Sequence, residues 1–95
     1  MRAYSARHIT RLASYNGQVN VGQDLMDLID FDPDFTNPQI FKIQIVPNVP
    51  CRVRINGTSE LLISNLYGLT IDYTDLMIHS FEFLDQADIY AVVGY

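Results

Sequence analysis

The sequence predicts an all-β fold: a small antiparallel β-sandwich or barrel with an extended N-terminal arm and one short helix. From residue 39 onward, apolar and polar residues alternate in short stretches at the roughly 8–12 residue spacing typical of such folds. These stretches are rich in β-branched and aromatic residues, which fit a pleated, half-buried surface. Proline residues and an Asn-Gly pair separate them, as expected for turns. The 95-residue length suits a single domain.

We expect residues 1–20 to form the arm and residues 21–95 to form one β-domain. The arm region mixes Arg, Tyr, Ser, Asn and Gln, and its Ile9, Leu12 and Val19 side chains can dock locally. Residues 22–30 are the best helical candidate, because their leucine and isoleucine side chains can share one face. Asp24 lies near the start of this helix, where an acidic side chain is favourable. Such a short helix depends on packing against the rest of the domain.

The strands are predicted in order from the period-two alternation. In the first, Lys42 and Gln44 mark the polar face of an otherwise apolar run. The next alternates Cys51, Val53 and Ile55 with two arginines, as in a half-buried strand. Further strands are predicted near residues 60–64, 69–73, 76–84 and 89–93. In the third of these, Phe81 and Phe83 lie on one face, and residues 85–88 form the turn before the last strand.

Asn56-Gly57 is the strongest hairpin signal in the chain. A two-residue loop there would pair Val53 with Glu60 and set apolar against charged side chains. A three-residue loop shifts the pairing by one residue and moves every partner to the other face. Glu60 then lies opposite Arg52 or Arg54, which is a favourable pairing. We therefore predict an odd-length loop, a type I turn with Gly57 left-handed and a bulge beside it.

The charged residues are few and segregated. They make up 18% of the chain, against about 25% in a typical soluble domain. Residues 1–11 contain no acid, and their candidate partner-binding residues are Arg2, Tyr4, Arg7 and Arg11. A second segment contains no base, and its candidate docking acids are Asp24, Asp27, Asp30, Asp32 and Asp34. This pattern predicts a head-to-tail contact, within or between subunits.

The composition predicts assembly with other chains. Hydrophobic residues reach 48%, and five of the six bases are arginine. Arginine together with abundant Tyr and Phe is typical of protein interfaces. Lys42 is the single lysine in the chain. Lysine side chains on edge strands normally discourage pairing with the strand of another chain, so the edges of this sheet lack that protection. We expect a homo-oligomer, with a slightly apolar monomer as the alternative.

Other partner classes are disfavoured. The net charge of -5 opposes a nucleic-acid partner, although an arm with three arginines keeps that alternative open. No apolar run approaches the roughly 18 residues of a membrane span, so we expect no membrane partner. The N-terminus has no apolar stretch behind its charges, so we expect no secretory signal peptide.

We expect no catalytic residues, no cofactor and no metal ligands, and therefore no enzyme. Residues 30–34 resemble the start of a calcium loop, but Phe35 and Phe41 stand where the EF-hand has Gly and Glu. A looser carboxylate site for calcium remains an alternative. His8 and His79 belong to no paired ligand motif. Cys51 lies in a predicted strand, where a cysteine is usually inert packing.

Four segments of the C-terminal half resemble small structural proteins of tailed bacteriophages: residues 53–57 (VRING), 68–72 (GLTID), 78–84 (IHSFEFL) and 90–95 (YAVVGY). The resemblance implies a virion component that decorates or links a repeating capsid, head fibre or tail. We expect this role to use the arm and an apolar β surface. The implied location is the virion, assembled in the host cytoplasm. The implied partners are other virion proteins and copies of the chain itself.

The alternative function is a carbohydrate-binding or host-recognition module. It would need exposed tyrosines on one face, drawn from Tyr67, Tyr73, Tyr90 and Tyr95. In β-sandwiches, tyrosines more often serve core edges and interfaces. A third possibility is an acidic, antitoxin-like partner protein.

Overall fold

A computed structural model describes residues 11–72 and 77–95 of the chain. This part forms two antiparallel sheets and one short helix around a shared core, as predicted for a small β-sandwich. Within these residues the sheets do not close into a barrel. The elements are β1 (Leu12–Val19), α1 (Leu25–Leu28), β2 (Lys42–Pro47), β3 (Cys51–Ile55), β4 (Glu60–Ile63), β5 (Leu69–Ile71), β6 (Phe81–Phe83) and β7 (Ala87–Gly94).

The two sheets differ in size and in strand order. The four-stranded sheet has the order β1-β7-β2-β5, and the three-stranded sheet has the order β4-β3-β6. β7 is the long inner strand of the larger sheet, because it pairs with all eight residues of β1 on one side and with β2 on the other. β7 begins at Ala87, two residues before the predicted start at residue 89, because only residues 84–86 separate it from β6.

Alternation along the strands builds the core between the two sheets. Ile43 and Ile45 of β2 are fully buried, while the neighbouring Lys42 and Gln44 are exposed, as predicted. From the opposite sheet, Phe81 and Phe83 are also fully buried on one face, with ring centroids 5.4 Å apart. Burying one such side chain is worth roughly 1.5–3 kcal/mol. The sandwich therefore depends on both inner faces together.

Residues 12–19 are not part of an extended arm, so that prediction is wrong for this segment. They form β1, whose register with β7 runs from Leu12 opposite Gly94 to Val19 opposite Ala87. The positions that face inward include Ala13 and Gly17, which are small and give little hydrophobic signal. Leu12 is apolar but faces outward, so the alternation of apolar and polar residues along β1 is not visible in the sequence. Residues 1–10 lie outside the described part of the chain.

The helix is a single turn and is shorter than the predicted 22–30. Asp24 is its N-cap, and its carboxylate accepts a hydrogen bond from the Met26 N–H at 2.9 Å. At the other end, the Ile29 N–H donates to the Leu25 carbonyl at 3.0 Å, and Ile29 is already extended (φ -76°, ψ 135°). Leu25 and Ile29 are both buried. The predicted apolar face is therefore correct, although the backbone stays helical for only one turn.

The β3–β4 hairpin has the predicted register and a different turn. Arg54 lies opposite Glu60, so an odd number of residues, 55–59, separates this pair, as predicted. Gly57 is left-handed as predicted (φ +71°), but Asn56 is also left-handed (φ +54°). The Thr58 N–H donates to the Ile55 carbonyl at 3.0 Å. Positive φ at both central residues is the mark of a type I′ turn, so the predicted type I turn is wrong.

Arg52 and Asp85 form a bidentate pair that should make stability depend on pH. The Arg52 Nη2 and Nε donate to the two Asp85 oxygens at 2.9 and 3.0 Å, and the Arg52 backbone N–H also donates at 2.9 Å. The Arg52 side chain, and then its backbone N–H, lower the pKa of Asp85 to about 2. The stability contributed by this carboxylate is present above its unfolded pKa of about 3.9 and is lost as pH falls toward 2.

We therefore expect Asp85→Asn to weaken the pH dependence of the free energy of unfolding below about pH 4. Urea unfolding of the variant and the wild type should differ at pH 7 and converge between about pH 4 and pH 2. Asp30→Asn, in an exposed loop, controls for the loss of one negative charge. If the free energy of unfolding of Asp85→Asn fell between pH 4 and pH 2 as steeply as that of the wild type, the Arg52–Asp85 pair would not be the cause of the pH dependence.

Candidate interaction surfaces

The outer face of the four-stranded sheet is the side that points away from the core. Its residues are Leu12, Ser14, Asn16, Gln44, Val46, Thr70, Tyr90 and Val92. Val92 lies between Ser14 and Gln44, and Tyr90 lies between Asn16 and Val46. The exposed fractions are 74% for Leu12, 52% for Tyr90 and 39% for Val46. A valine and a tyrosine thus stand where sheet alternation would normally place polar residues.

The centre of the outer face carries no charge. Within strands β1, β2, β5 and β7, the charged groups on this side are Lys42, which pairs with Gly94, and Asp88, which pairs with Gln18. They stand at opposite ends of β7. Between them lie only apolar and neutral polar side chains, a composition that matches the charge-depleted centre of a protein interface.

A second surface surrounds the C-terminal tyrosine, and we name Arg11, Phe31, Asp32, Phe35 and Tyr95 the Tyr95 cluster. Arg11 Nε donates to Asp32 Oδ2 at 2.8 Å, and the Asp32 N–H donates to Tyr95 Oη at 2.6 Å. The Tyr95 ring packs edge-on against Phe31 and Phe35, with centroids 4.7 and 5.1 Å away. Through these contacts Arg11, which precedes β1, is joined to Asp32 in the loop after α1, and Asp32 is joined to Tyr95 at the C-terminus.

The electrostatics of the Tyr95 cluster favour the charged forms of its ion pair. The hydrogen bond from Arg11 holds the pKa of Asp32 below its usual range, and the same contact raises the pKa of Arg11. The Arg11 guanidinium also lies 5.7 Å from the centroid of the Phe35 ring. Of the predicted arm residues, Arg11 therefore contacts a predicted docking acid of its own chain. Arg2, Tyr4 and Arg7 lie outside the described residues.

Asp24, one of the predicted docking acids, has a structural role within its own chain. Its Oδ1 accepts hydrogen bonds from the backbone N–H groups of Met26 at 2.9 Å and Phe81 at 3.0 Å. Its Oδ2 accepts one from the Ser80 hydroxyl at 3.1 Å. Both oxygens thus join α1 to the beginning of β6. The other acids are placed differently: Asp27, Asp30 and Asp34 are exposed.

A groove with a volume of 580 Å³ lies beside the Tyr95 cluster. Met26, Ile29 and Phe35 form part of its apolar wall, and Asp32 and His79 add polar groups. His79 is exposed at the groove. The groove can accept an apolar side chain, whereas the Asp32 carboxylate at its rim is already bonded to Arg11 and to the Asp34 N–H.

The remaining candidate residues occupy separate places. Cys51 is buried, and burial raises the pKa of its thiol, which keeps the sulfur uncharged. Tyr67 is 86% exposed, whereas Tyr95 is only 4% exposed, so the predicted tyrosines do not share one exposed face. Tyr73 lies outside the described residues.

Residues 11–72 and 77–95 contain neither a cluster of metal-ligating side chains nor a membrane-spanning helix. No three His, Cys, Asp or Glu side chains there come together in a way that could hold a metal ion. No helix in that part of the chain has the length and apolar character needed to cross a membrane.

Comparison with protein-family models, with curated proteins and with solved structures finds no match to this chain.

The sequence analysis expected an apolar β surface but did not locate it on the outer face of the four-stranded sheet. Val46 and Tyr90 are apolar or aromatic residues at positions of the polar face of their strands. Recognising that they are neighbours requires the strand order, because they lie 44 residues apart in the sequence and meet only through the β2–β7 register.

Proposed function

We propose that this chain is a non-enzymatic structural protein of a phage particle. In this role it decorates or links a repeating assembly of the capsid, head fibre or tail. The observation that carries the proposal is the uncharged centre of the outer face, where Tyr90, Val46 and Val92 form a continuous row across two strands. Covering such a surface with a neighbouring chain stabilises the assembly by about 25 cal/mol per Å² of apolar area.

The charge distribution supports contacts between copies. Arg2 and Arg7 precede the described fold, and no acid accompanies them in residues 1–11. Asp27, Asp30 and Asp34 are exposed on the described surface. In a repeating assembly, the basic segment of one copy meets the acidic segment of the next. Such opposite charges steer association and set the register of the contact.

The proposal predicts a specific dependence of particle incorporation on the outer face. Purified particles should contain the wild-type chain in many copies, as measured by quantitative mass spectrometry. Tyr90→Lys should reduce incorporation strongly, because it places a charge at the centre of the covered surface. Leu62→Lys is the matched control, since Leu62 is 64% exposed but lies on the three-stranded sheet.

Two results would overturn the proposal. One is a wild-type chain that is abundant in infected cells and absent from purified particles. The other is equal incorporation of Tyr90→Lys and Leu62→Lys, which would remove the outer face from any role in assembly.

A carbohydrate-binding module remains the second candidate, and one observation favours it. The exposed Tyr90 ring lies beside the Asn16 amide, because the two residues are direct partners in the β1–β7 register. An aromatic ring next to an amide can stack on a sugar and hydrogen-bond its hydroxyls. Glycan-array binding that is lost in Tyr90→Ala would select this function instead.

A further inference from the structure

The free edge of β1 differs from the other sheet edges. β4 and β5 are edge strands of four and three residues. The edge of β6 is covered, because the Gly22 N–H donates to the Phe83 carbonyl and the Phe83 N–H donates to the Gln23 carbonyl, both at 2.8 Å. β1 is an eight-residue edge strand, LASYNGQV, without a charge or a proline. Long neutral edges of this kind readily pair with another strand.

The hydrogen-bond pattern shows which groups this edge presents. Arg11 and Tyr95 exchange both backbone hydrogen bonds, at 3.0 and 2.9 Å. Since the bonded positions alternate in an antiparallel ladder, the odd-numbered residues of β1 bond to β7 and the even-numbered ones point outward. The Gln18 carbonyl accepts from the Tyr15 hydroxyl at 2.8 Å. The outward groups that remain for a partner strand belong to Leu12, Ser14 and Asn16.

We propose that β1 pairs antiparallel with β1 of a second copy, about a two-fold axis at Ser14. Ser14 then lies opposite Ser14 of the second copy, and Leu12 lies opposite Asn16 on each side of the axis. The two four-stranded sheets become one continuous sheet, and the two outer faces become one surface. This dimer deepens the proposed function, on which it rests, by naming a contact between copies.

The charges favour a second copy as the occupant of this edge. Residues 12–23 carry no charge, so two such strands approach without repulsion. Antiparallel pairing places the beginning of each β1 beside the end of the other. In this register Arg11 of one copy lies opposite Gly17 of the other, and the chain that follows β1 carries acids and no base from Asp24 to Asp34.

A charge exchange at the axis tests the pairing. Ser14→Lys alone and Ser14→Asp alone each place two like charges directly opposite one another, which destabilises a strand pair. By sedimentation velocity of the full-length chain, each variant should dimerise about tenfold more weakly than the wild type. An equimolar mixture of the two variants should recover a heterodimer. Thr70→Lys, exposed on the same outer face but on β5, should dimerise like the wild type.

Three results would overturn this inference: a wild-type chain that stays monomeric up to about 1 mM, an undiminished dimer of Ser14→Lys, or a mixture of the two Ser14 variants that stays monomeric. Circular dichroism spectra identical to the wild type would show that the variants fold. The dimer and the proposed function can fail separately. Loss of the dimer with normal particle incorporation of Ser14→Lys would reject the pairing alone. A dimer that never enters particles would reject the proposed function alone.

Discussion

Gly68→Ala should lower the free energy of unfolding by about 3 kcal/mol. Gly68 is left-handed, with φ +66°. A Cβ at this position would collide with the Ile45 carbonyl oxygen and would lie 2.9 Å from Val46 Cγ2. The backbone oxygen belongs to β2 and cannot move without disturbing its ladder with β5. The substitution therefore adds a steric clash to the strain of the left-handed conformation.

Gly57→Ala is the matched control for this effect. Gly57 is also left-handed, with φ +71°, but a Cβ there would meet no atom within 4 Å. We expect a loss of about 1 kcal/mol from backbone strain alone. Urea unfolding of the two variants measures the difference, which reports the close approach of the β4–β5 turn to β2. Equal losses in the two variants would contradict the proposed packing of Gly68.

Asp24→Ala should lower the free energy of unfolding by about 3 kcal/mol. Loss of the helix cap accounts for about 1 kcal/mol of this. The remainder comes from the Phe81 N–H and the Ser80 hydroxyl, which lose their acceptor in a part-buried place. Because these bonds join α1 to β6, the variant should also weaken the contact of Gly22 and Gln23 with the edge of β6.

Asp24→Asn separates the structural role of this residue from a docking role. The amide oxygen can accept from Met26 and Phe81, and the amide nitrogen can donate to the Ser80 hydroxyl. We therefore expect a loss below about 1 kcal/mol, as measured by urea unfolding. If the Asn variant were as unstable as the Ala variant, the negative charge itself would be essential and the hydrogen-bond account would be wrong.

The sequence was informative where side chains report on pairing. Glu60 could not sit opposite Val53 without setting a charge against an apolar residue, and this excluded the wrong register of the β3–β4 hairpin. β1 was missed because Ala13 and Gly17 stand at inward positions and Leu12 stands at an outward one. Its strand conformation depends on β7, which lies at the other end of the chain.

The candidate surfaces were less accessible from the sequence than the fold. The acidic segment was visible as a charge pattern, but the assignment of Asp24 to hydrogen bonds with Ser80 and Phe81 depends on contacts across 56 and 57 positions. Tyr95 looked like a candidate for an exposed ring, yet it is buried between Phe31 and Phe35. Such tertiary contacts leave no local sequence signal.

The central claim is that neighbouring chains complete this small sandwich, and amide hydrogen exchange along β1 tests it most directly. The odd-numbered amides of Ala13 and Tyr15 bond to β7 and serve as an internal control. The outward amides of Leu12, Ser14 and Asn16 should exchange rapidly in dilute solution and become protected as the protein concentration rises. Rapid exchange of these three amides at every concentration, and also in the assembled particle, would contradict the claim.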